Sequence, residues 1–387
     1  MSTAVLFEEK PTANGMRIGF ATLNSPRTLN GITLEMVDLL AEQLAAWAQD
    51  DGVAMVVLQG AGDKAFSAGG DLHGLYHSMH EYAGKGAWAN TFARDFFERE
   101  YRLDYLIHTY PKPFLCWGHG ILMGGGVGLM MGASHRVISE TTRFAMPEIS
   151  IALFPDVGGT WMLNRMPGRL GLFLALTGAQ LTTADVLYAH AADYHVDSAN
   201  WPNVVEALQQ ASWVSGDAHV NSSARVANDG LLRKVLLAHA STDARVAGPL
   251  QRHADMINHL CHGHDLPAIY RAIADLKAHD DPWLQRAAST MLSGSPGSAR
   301  LAFTLMRNTR LDSLADVFRT EYIAALVCTA EGDFMEGIRA MLIDKDKQPK
   351  WNPASIDDAS EQWVKRFFQA PWPSDVRHPL ADLGSNA

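Results

Sequence analysis

Three consecutive glycines, Gly124-Gly-Gly126, lie between a short apolar stretch at 114–117 and a run of small and apolar residues that reaches Ala133. No other feature restricts the fold as much. A few apolar residues bounded by turn signals read as a buried strand, and residues 124–133 read as a buried helix whose N-terminus is the glycine run. The order strand, turn, helix recurs along the first half of the chain. Residues 16–23 alternate loosely and end at Asn24-Ser-Pro26, a turn signal. Met36, Leu39, Leu40, Leu44 and Trp47 then recur at helical spacing behind Thr33, a candidate N-cap, and residues 53–58 are wholly apolar. This order predicts right-handed crossover units and a largely parallel sheet.

Helical spacing returns at Phe92, Phe96, Phe97, Leu103 and Leu106, and short strands fit 136–138 and 144–146. After about Val196 the β signal fades. Helices are expected over 204–208, 231–240, 256–260, 269–276, 283–292, 299–306 and 314–329, with a break at Gly294-Ser-Pro-Gly297. The expected organisation is an α/β core over 1–198 and a helical C-terminal region over 199–387 that packs on it. At 387 residues, 47% hydrophobic and 19% charged, the chain can bury a large core.

The net charge of -10 argues against a nucleic-acid surface, which needs a concentrated excess of Lys and Arg. A few local basic groups can still hold one small anionic ligand. Cys116, Cys261 and Cys328 are odd in number and far apart, so a disulfide framework is not expected and a reducing compartment is. Residues 1–10 have neither a secretory nor a transit pattern, and no apolar run is long enough to span a bilayer. A cytoplasmic protein without a membrane partner is expected.

Two glycine turns and two acids are the candidates for chemistry. Gly69 and Gly70 follow Lys64-Ala-Phe-Ser67, and backbone N–H groups there can approach a ligand because glycine has no Cβ. With the run at Gly124, two turns from separate crossover units can aim two N–H donors at one carbonyl oxygen. The alternatives are an ordinary turn for Gly69-Gly70 and close helix packing for the run. Gly118-x-Gly120-x-x-x-Gly124 has the wrong spacing for a dinucleotide fingerprint. Glu148 and Asp156, eight residues apart, lie among Phe144, Met146, Ile149, Leu153 and Phe154. Desolvation there raises a carboxyl pKa and suits it to proton transfer or attack. A buried salt bridge for Glu148 and a cap or turn role for Asp156 remain open. His253, His259, Cys261, His262 and His264 match no common zinc spacing, nor do His73, His77 and His80, so no metal is expected.

These motifs resemble the crotonase (enoyl-CoA hydratase/isomerase) superfamily, and within it the 3-hydroxyisobutyryl-CoA hydrolase branch. Leu23-Asn-Ser-Pro-Arg-Thr-Leu-Asn30, Ala65-Phe-Ser-Ala-Gly-Gly-Asp71 and Met123-Gly-Gly-Gly-Val-Gly128 resemble general superfamily signatures. Phe144-Ala-Met-Pro-Glu148, Leu153-Phe-Pro-Asp-Val-Gly-Gly159 and Glu100-Tyr101 resemble the hydrolase branch. So do the segment from Asp333 to Asp346 and Pro349-Lys-Trp351-Asn-Pro353. The resemblance implies an α/β fold with a crotonase-like ββα spiral core and additional C-terminal helices.

It also implies roles. Gly70 and Gly125 would supply the oxyanion N–H groups, Glu148 would attack the thioester or activate water, and Asp156 would assist proton transfer. Glu100 would line the acyl pocket near the substrate hydroxyl, while Arg27 and the turn Ala68, Asp71 and Leu72 would sit near the CoA moiety. Coenzyme A is then part of the substrate and no separate cofactor is needed. The resemblance suggests a homo-oligomer, trimer or hexamer, unless the extra helical segment occupies that surface. Hydration of a conjugated double bond in this superfamily uses two glutamates, and Gly128 stands where the first is expected, which favours hydrolysis of a short-chain hydroxyacyl-CoA. The chain departs from the branch at Ser67, where cysteine is common, at Ile323 after Glu321-Tyr322, and over 199–228, which does not align. The rival readings are a superfamily isomerase and a non-catalytic interaction or RNA-binding module; the intact acids and the negative charge count against the second.

Overall fold

The computed structural model describes residues 4–216, 222–241 and 246–385, so residues 1–3 of the N-terminal stretch and 217–221 of the unaligned 199–228 stretch lie outside the described residues. The chain forms two compact units. Residues 1–70, 103–144 and 181–248 make up the first, and residues 71–102, 145–180 and 249–387 the second.

Among the described residues nine short strands occur in chain order: β1 (Val5–Pro11), β2 (Arg17–Leu23), β3 (Val53–Gly60), β4 (Ala65–Ser67), β5 (Phe114–Gly118), β6 (Ile121–Met123), β7 (His135–Ile138), β8 (Arg143–Ala145) and β9 (Tyr194–His195). A six-stranded sheet has the order β1-β2-β3-β5-β7-β9, and a three-stranded one the order β4-β6-β8. In the larger sheet β1 pairs antiparallel with β2, and every later pair is parallel, as crossover connections require. The expected helix behind Thr33 spans Leu34–Gln49, and the Thr33 hydroxyl accepts the Met36 amide at 3.2 Å.

One face of the large sheet is covered by residues that follow β9. Helices Trp201–Gln210 and Ser223–His239 supply Val204, Leu208, Leu232 and Leu236, which pack with Trp213 against Ile18, Phe20, Met55, Val57, Leu115 and Val137. Trp201 stacks on Trp117 of β5 with ring centroids 4.4 Å apart and planes 7° from parallel. The described part of the 199–228 stretch thus completes the core of the first unit.

The second unit is helical. The sequence break at Gly294-Ser-Pro-Gly297 begins a helix: the Ser295 side chain accepts the Ser298 amide at 3.1 Å and Pro296 takes the first helical position of Pro296–Asn308. Helix Leu314–Cys328 starts in the same manner at Ser313. Among the described residues no helix is long and apolar enough to cross a membrane.

Candidate active site

In the first unit the two glycine turns are neighbours because the strands that lead into them pair. β4 runs parallel to β6, with Ala65 opposite Ile121 and Ser67 opposite Leu122, and each strand ends at a glycine turn. Gly69 has φ +111°, a conformation that residues with a side chain rarely adopt, and a Cβ there would lie 3.8 Å from the Gly125 nitrogen. The Ala68 amide bonds the Leu29 carbonyl at 3.0 Å and the Gly69 carbonyl accepts the Ile32 amide at 2.8 Å, so the 29–32 segment holds this turn in place. Asn30, fully buried, fastens the same region by donating to the Ala61 and Ala65 carbonyls at 3.0 and 2.9 Å. Gly125 opens helix Gly125–Met131, whose first N–H groups have no acceptor within the helix. Packing and donor supply are not exclusive here: Gly126 lies so close to β4 that a Cβ would fall 2.8 Å from the Ser67 Cβ.

The second unit gathers the acids. Glu100 and Tyr101, from helix Thr91–His108, are both buried, and the Tyr101 hydroxyl donates to Asp156 Oδ2 at 2.8 Å. Glu148 opens the 3-10 turn Glu148–Ile151 behind Pro147 and is 4% exposed. That turn is tied to the start of helix Pro296–Asn308, since the Ser295 amide donates to the Ile149 carbonyl at 3.0 Å and the Ser298 hydroxyl to the Leu153 carbonyl. Asp156 is 6% exposed. Among the described residues neither Glu148 nor Asp156 has an ion-pair partner, while Glu148 Oε2 and Glu100 Oε1 are buried without a hydrogen bond. A buried carboxyl oxygen without a donor is costly unless a proton or a ligand group meets it.

Their ionisation differs accordingly. Burial, reinforced by the Asp156 charge, pushes both Glu148 and Glu100 well above the usual carboxylate range. Burial also raises Asp156, but the Tyr101 hydroxyl and its own backbone oppose this, leaving it at about 6. Asp156 is therefore the member that takes a charge most readily, and its charge holds protons on its neighbours. Two acids whose surroundings push them apart are suited to opposite proton-transfer roles.

A fourth acid of this unit is named in the sequence only beside Tyr322, as part of a branch run, and is given no role there. Glu321, fully buried on helix Leu314–Cys328, accepts the Gly158 amide through Oε2 at 2.8 Å and the Thr160 amide and hydroxyl through Oε1 at 3.1 and 2.5 Å. Burial raises it to about 8 against these three hydrogen bonds. It stands 163 residues beyond Gly158 in a helical pattern, and the signals that could have marked it are its place in the Glu321-Tyr322 run and its charge in a largely apolar helix.

The remaining candidates are placed more loosely. Arg27 is exposed on the short turn Pro26–Thr28, and Ala68 is exposed in the first glycine turn. Asp71 caps helix Leu72–Glu81 by accepting the Gly74 amide at 2.9 Å, and Leu72 is that helix's half-buried first residue. His253 pairs with Asp281 at 2.8 Å. Among the described residues one group could offer three metal-ligand atoms within 4.8 Å, Glu140, His195 and Asp197 in the first unit, and Ser198 already bonds both oxygens of Glu140.

Residues 18–368 match the enoyl-CoA hydratase/isomerase family. The chain is 35% identical to a Gallus gallus protein named 3-hydroxyisobutyryl-CoA hydrolase, mitochondrial, over 93% of this chain and 88% of that one. It is 37% identical to a Danio rerio protein of the same name over 95% and 89%. Among solved structures it is similar to a carnitinyl-CoA dehydratase from Mycobacterium thermoresistibile, with TM-score 0.80, 35% identity and coverage of 97% of this chain and 98% of that one. An enoyl-CoA hydratase from Rhodobacter sphaeroides 2.4.1 gives TM-score 0.77 and 31% identity over 94% and 97%. These likenesses extend over both units and show the expected α/β fold with its additional C-terminal helices.

Proposed function

This chain belongs to the enoyl-CoA hydratase/isomerase family, and from that premise we propose that it hydrolyses a short-chain hydroxyacyl-CoA thioester, 3-hydroxyisobutyryl-CoA in the first instance, to the hydroxy acid and free CoA. The observation that supports this most is the pair Glu148 and Asp156: two buried acids without ion-pair partners among the described residues, one holding its proton and the other at about 6. In the proposed reaction the Gly70 and Gly125 amides polarise the thioester carbonyl, a contribution of about 10²–10³ in rate per donor at comparable sites. Ionised Glu148 either attacks the carbonyl carbon, forming an anhydride that water opens, or takes a proton from the attacking water. Asp156 takes the proton that Glu148 gives up and delivers it to the CoA sulfur as the C–S bond breaks, so that CoA leaves as thiol; on the anhydride route Asp156 then takes a proton from the water that opens the anhydride. Glu100 receives the substrate hydroxyl, and Arg27 with the turn Ala68, Asp71 and Leu72 meets the CoA moiety. CoA enters and leaves with the substrate, so no further cofactor is invoked. On this reading the chain acts in valine breakdown, and sedimentation decides between a trimer, a pair of trimers and a smaller form in which the extra helical segment occupies the trimer surface.

A hydratase or isomerase reading is favoured by one observation, the names of the two structural relatives. Against hydration stands Gly128, buried inside helix Gly125–Met131 where that chemistry calls for a second glutamate. The test is thiol release from 3-hydroxyisobutyryl-CoA with crotonyl-CoA absorbance followed in parallel. Hydrolase activity gives thiol with an unchanged enoyl chromophore, and the reverse result replaces this reading with hydration. Glu148→Gln should abolish thiol release while the fold stays intact by circular dichroism.

A further inference from the structure

We propose that Glu321 is a positioning residue for Asp156: its carboxyl clamps the turn that follows Asp156 and so fixes where the Asp156 carboxylate sits. The proposal rests on the hydrolase reading for its kinetic consequence, not for its geometry. Between Asp156 and Thr160 the backbone takes an unusual path, with Val157 at φ +51° and Gly158 at φ +78°. A β-branched residue in the left-handed region persists only where the surroundings over-determine it. The Gly159 amide closes the turn on the Asp156 carbonyl at 2.6 Å, and Glu321 supplies the rest of the constraint.

Both Glu321 oxygens are used, one by the Gly158 amide and the other by the amide and hydroxyl of Thr160. These donors lie two and four residues beyond Asp156. A carboxyl offers two acceptor oxygens here, whereas an amide offers one oxygen and presents its NH2 to a backbone N–H. Asp156 is thus held twice, through its side chain by Tyr101 and through its backbone by Glu321. Among the described residues Glu321 has no ion-pair partner, and the ionisable groups seen to feel its charge or that of Asp156 include Glu100, Tyr101, Glu148 and the Cys328 thiol, none of them a cation. A buried acid without a charged partner costs stability that an apolar residue would not, which fits a residue kept for placement.

The test uses Glu321→Gln and Thr160→Val, with Thr160→Ser as the rescue. In Glu321→Gln, kcat should fall by about 10²-fold, the scale lost when a proton-transfer group is misplaced, with KM changed less than about twofold. In an Asp156→Asn background the same substitution should cause little further loss, because the residue it positions is already disabled. Thr160→Val should give a smaller loss that Thr160→Ser restores, and it serves if Glu321→Gln does not fold. Independently of turnover, the carbon-13 signal of the Asp156 carboxyl should titrate at higher pH in both disabling variants, because the Tyr101 bond that lowers it is loosened. Losses that simply add in the Asp156→Asn background, or an unmoved Asp156 titration, overturn the proposal. A wild-type chain that releases no thiol overturns the hydrolase reading, while the titration still judges Glu321.

Discussion

At the residue scale, the acids of the second unit divide by what opposes their burial. Asp156 has the Tyr101 hydroxyl at 2.8 Å and rests at about 6, whereas Glu148 has an unpartnered oxygen and the Asp156 charge to contend with. Turnover that needs ionised Glu148 should therefore rise with pH along a limb centred above the ordinary carboxylate value of about 4.3. Asp156→Asn removes the negative charge that helps keep the proton on Glu148, so the limb should move to lower pH. Its plateau should drop by about 10²-fold, less than the loss in Glu148→Gln. Rate profiles of both enzymes from acid to alkaline pH measure this, and a limb that does not move would show that Asp156's charge is not felt at Glu148. Both acids were visible in the sequence because each interrupts an apolar stretch behind a proline. Their order of ionisation was not, because it depends on the Tyr101 hydroxyl, 55 residues from Asp156 in sequence and beside it only in the folded unit.

At the scale of elements, the first unit relies on the approach of helix Gly125–Met131 to β4, and Gly126 sets that approach. An added methyl would meet the Ser67 Cβ at 2.8 Å and the Ser67 carbonyl oxygen at 2.9 Å, so the helix or the strand must shift. Gly126→Ala should cost about 1–3 kcal/mol, as overpacking of a filled core does. Gly230, exposed on helix Ser223–His239 with nothing within 4 Å of its would-be Cβ, is the control. Gly230→Ala should stabilise by about 0.8–1 kcal/mol through helix propensity alone. Urea midpoints compare the two, and equal shifts would mean that the contact at Ser67 is not tight. The glycine helix and the strands β3 and β5 could be read from unbroken apolar runs, since they are buried on every side, and the C-terminal helices from helical spacing. β1 could not, since it is an edge strand carrying Glu8, Glu9, Lys10 and Pro11, the charges and proline that guard an unpaired edge and mask alternation. Nor could the passage of the chain from one unit to the other after Gly70, Arg102, Phe144, Gln180 and Gly248, because hydrophobic spacing reports that a face is buried and not what covers it.

At the scale of the whole molecule, the buried acids make folding stability depend on pH in a direction opposite to that of a paired carboxylate. Glu321 rises from an ordinary 4.5 to about 8 on folding, and Asp156 and Asp333 from 3.8 to about 6, each chiefly by burial. A carboxyl raised on folding gives stability that is fully present below its unfolded pKa and is lost as pH climbs through the folded one. Asp281 acts in the other sense: bonded to His253 it falls to about 2, so its contribution is present above 3.8 and lost as pH drops toward 2. Together these place the stability maximum on the acid side of neutrality, and the net charge of -10 at pH 7 adds self-repulsion as pH rises further. Glu321 contributes over the window from about pH 6 to 8, as the raised Glu100 and Glu148 also do, because there the unfolded chain has lost its proton and the folded one keeps it. One proton retained only by the folded state gives a slope of about 1.4 kcal/mol per pH unit, downward as pH increases. The wild-type chain should therefore lose stability over that window more steeply than Glu321→Gln by about this amount, measured as urea unfolding free energies at pH 6, 7 and 8. Parallel lines for the two proteins would mean that Glu321 is already ionised when folded, held as a carboxylate by the Gly158 and Thr160 donors in spite of its burial.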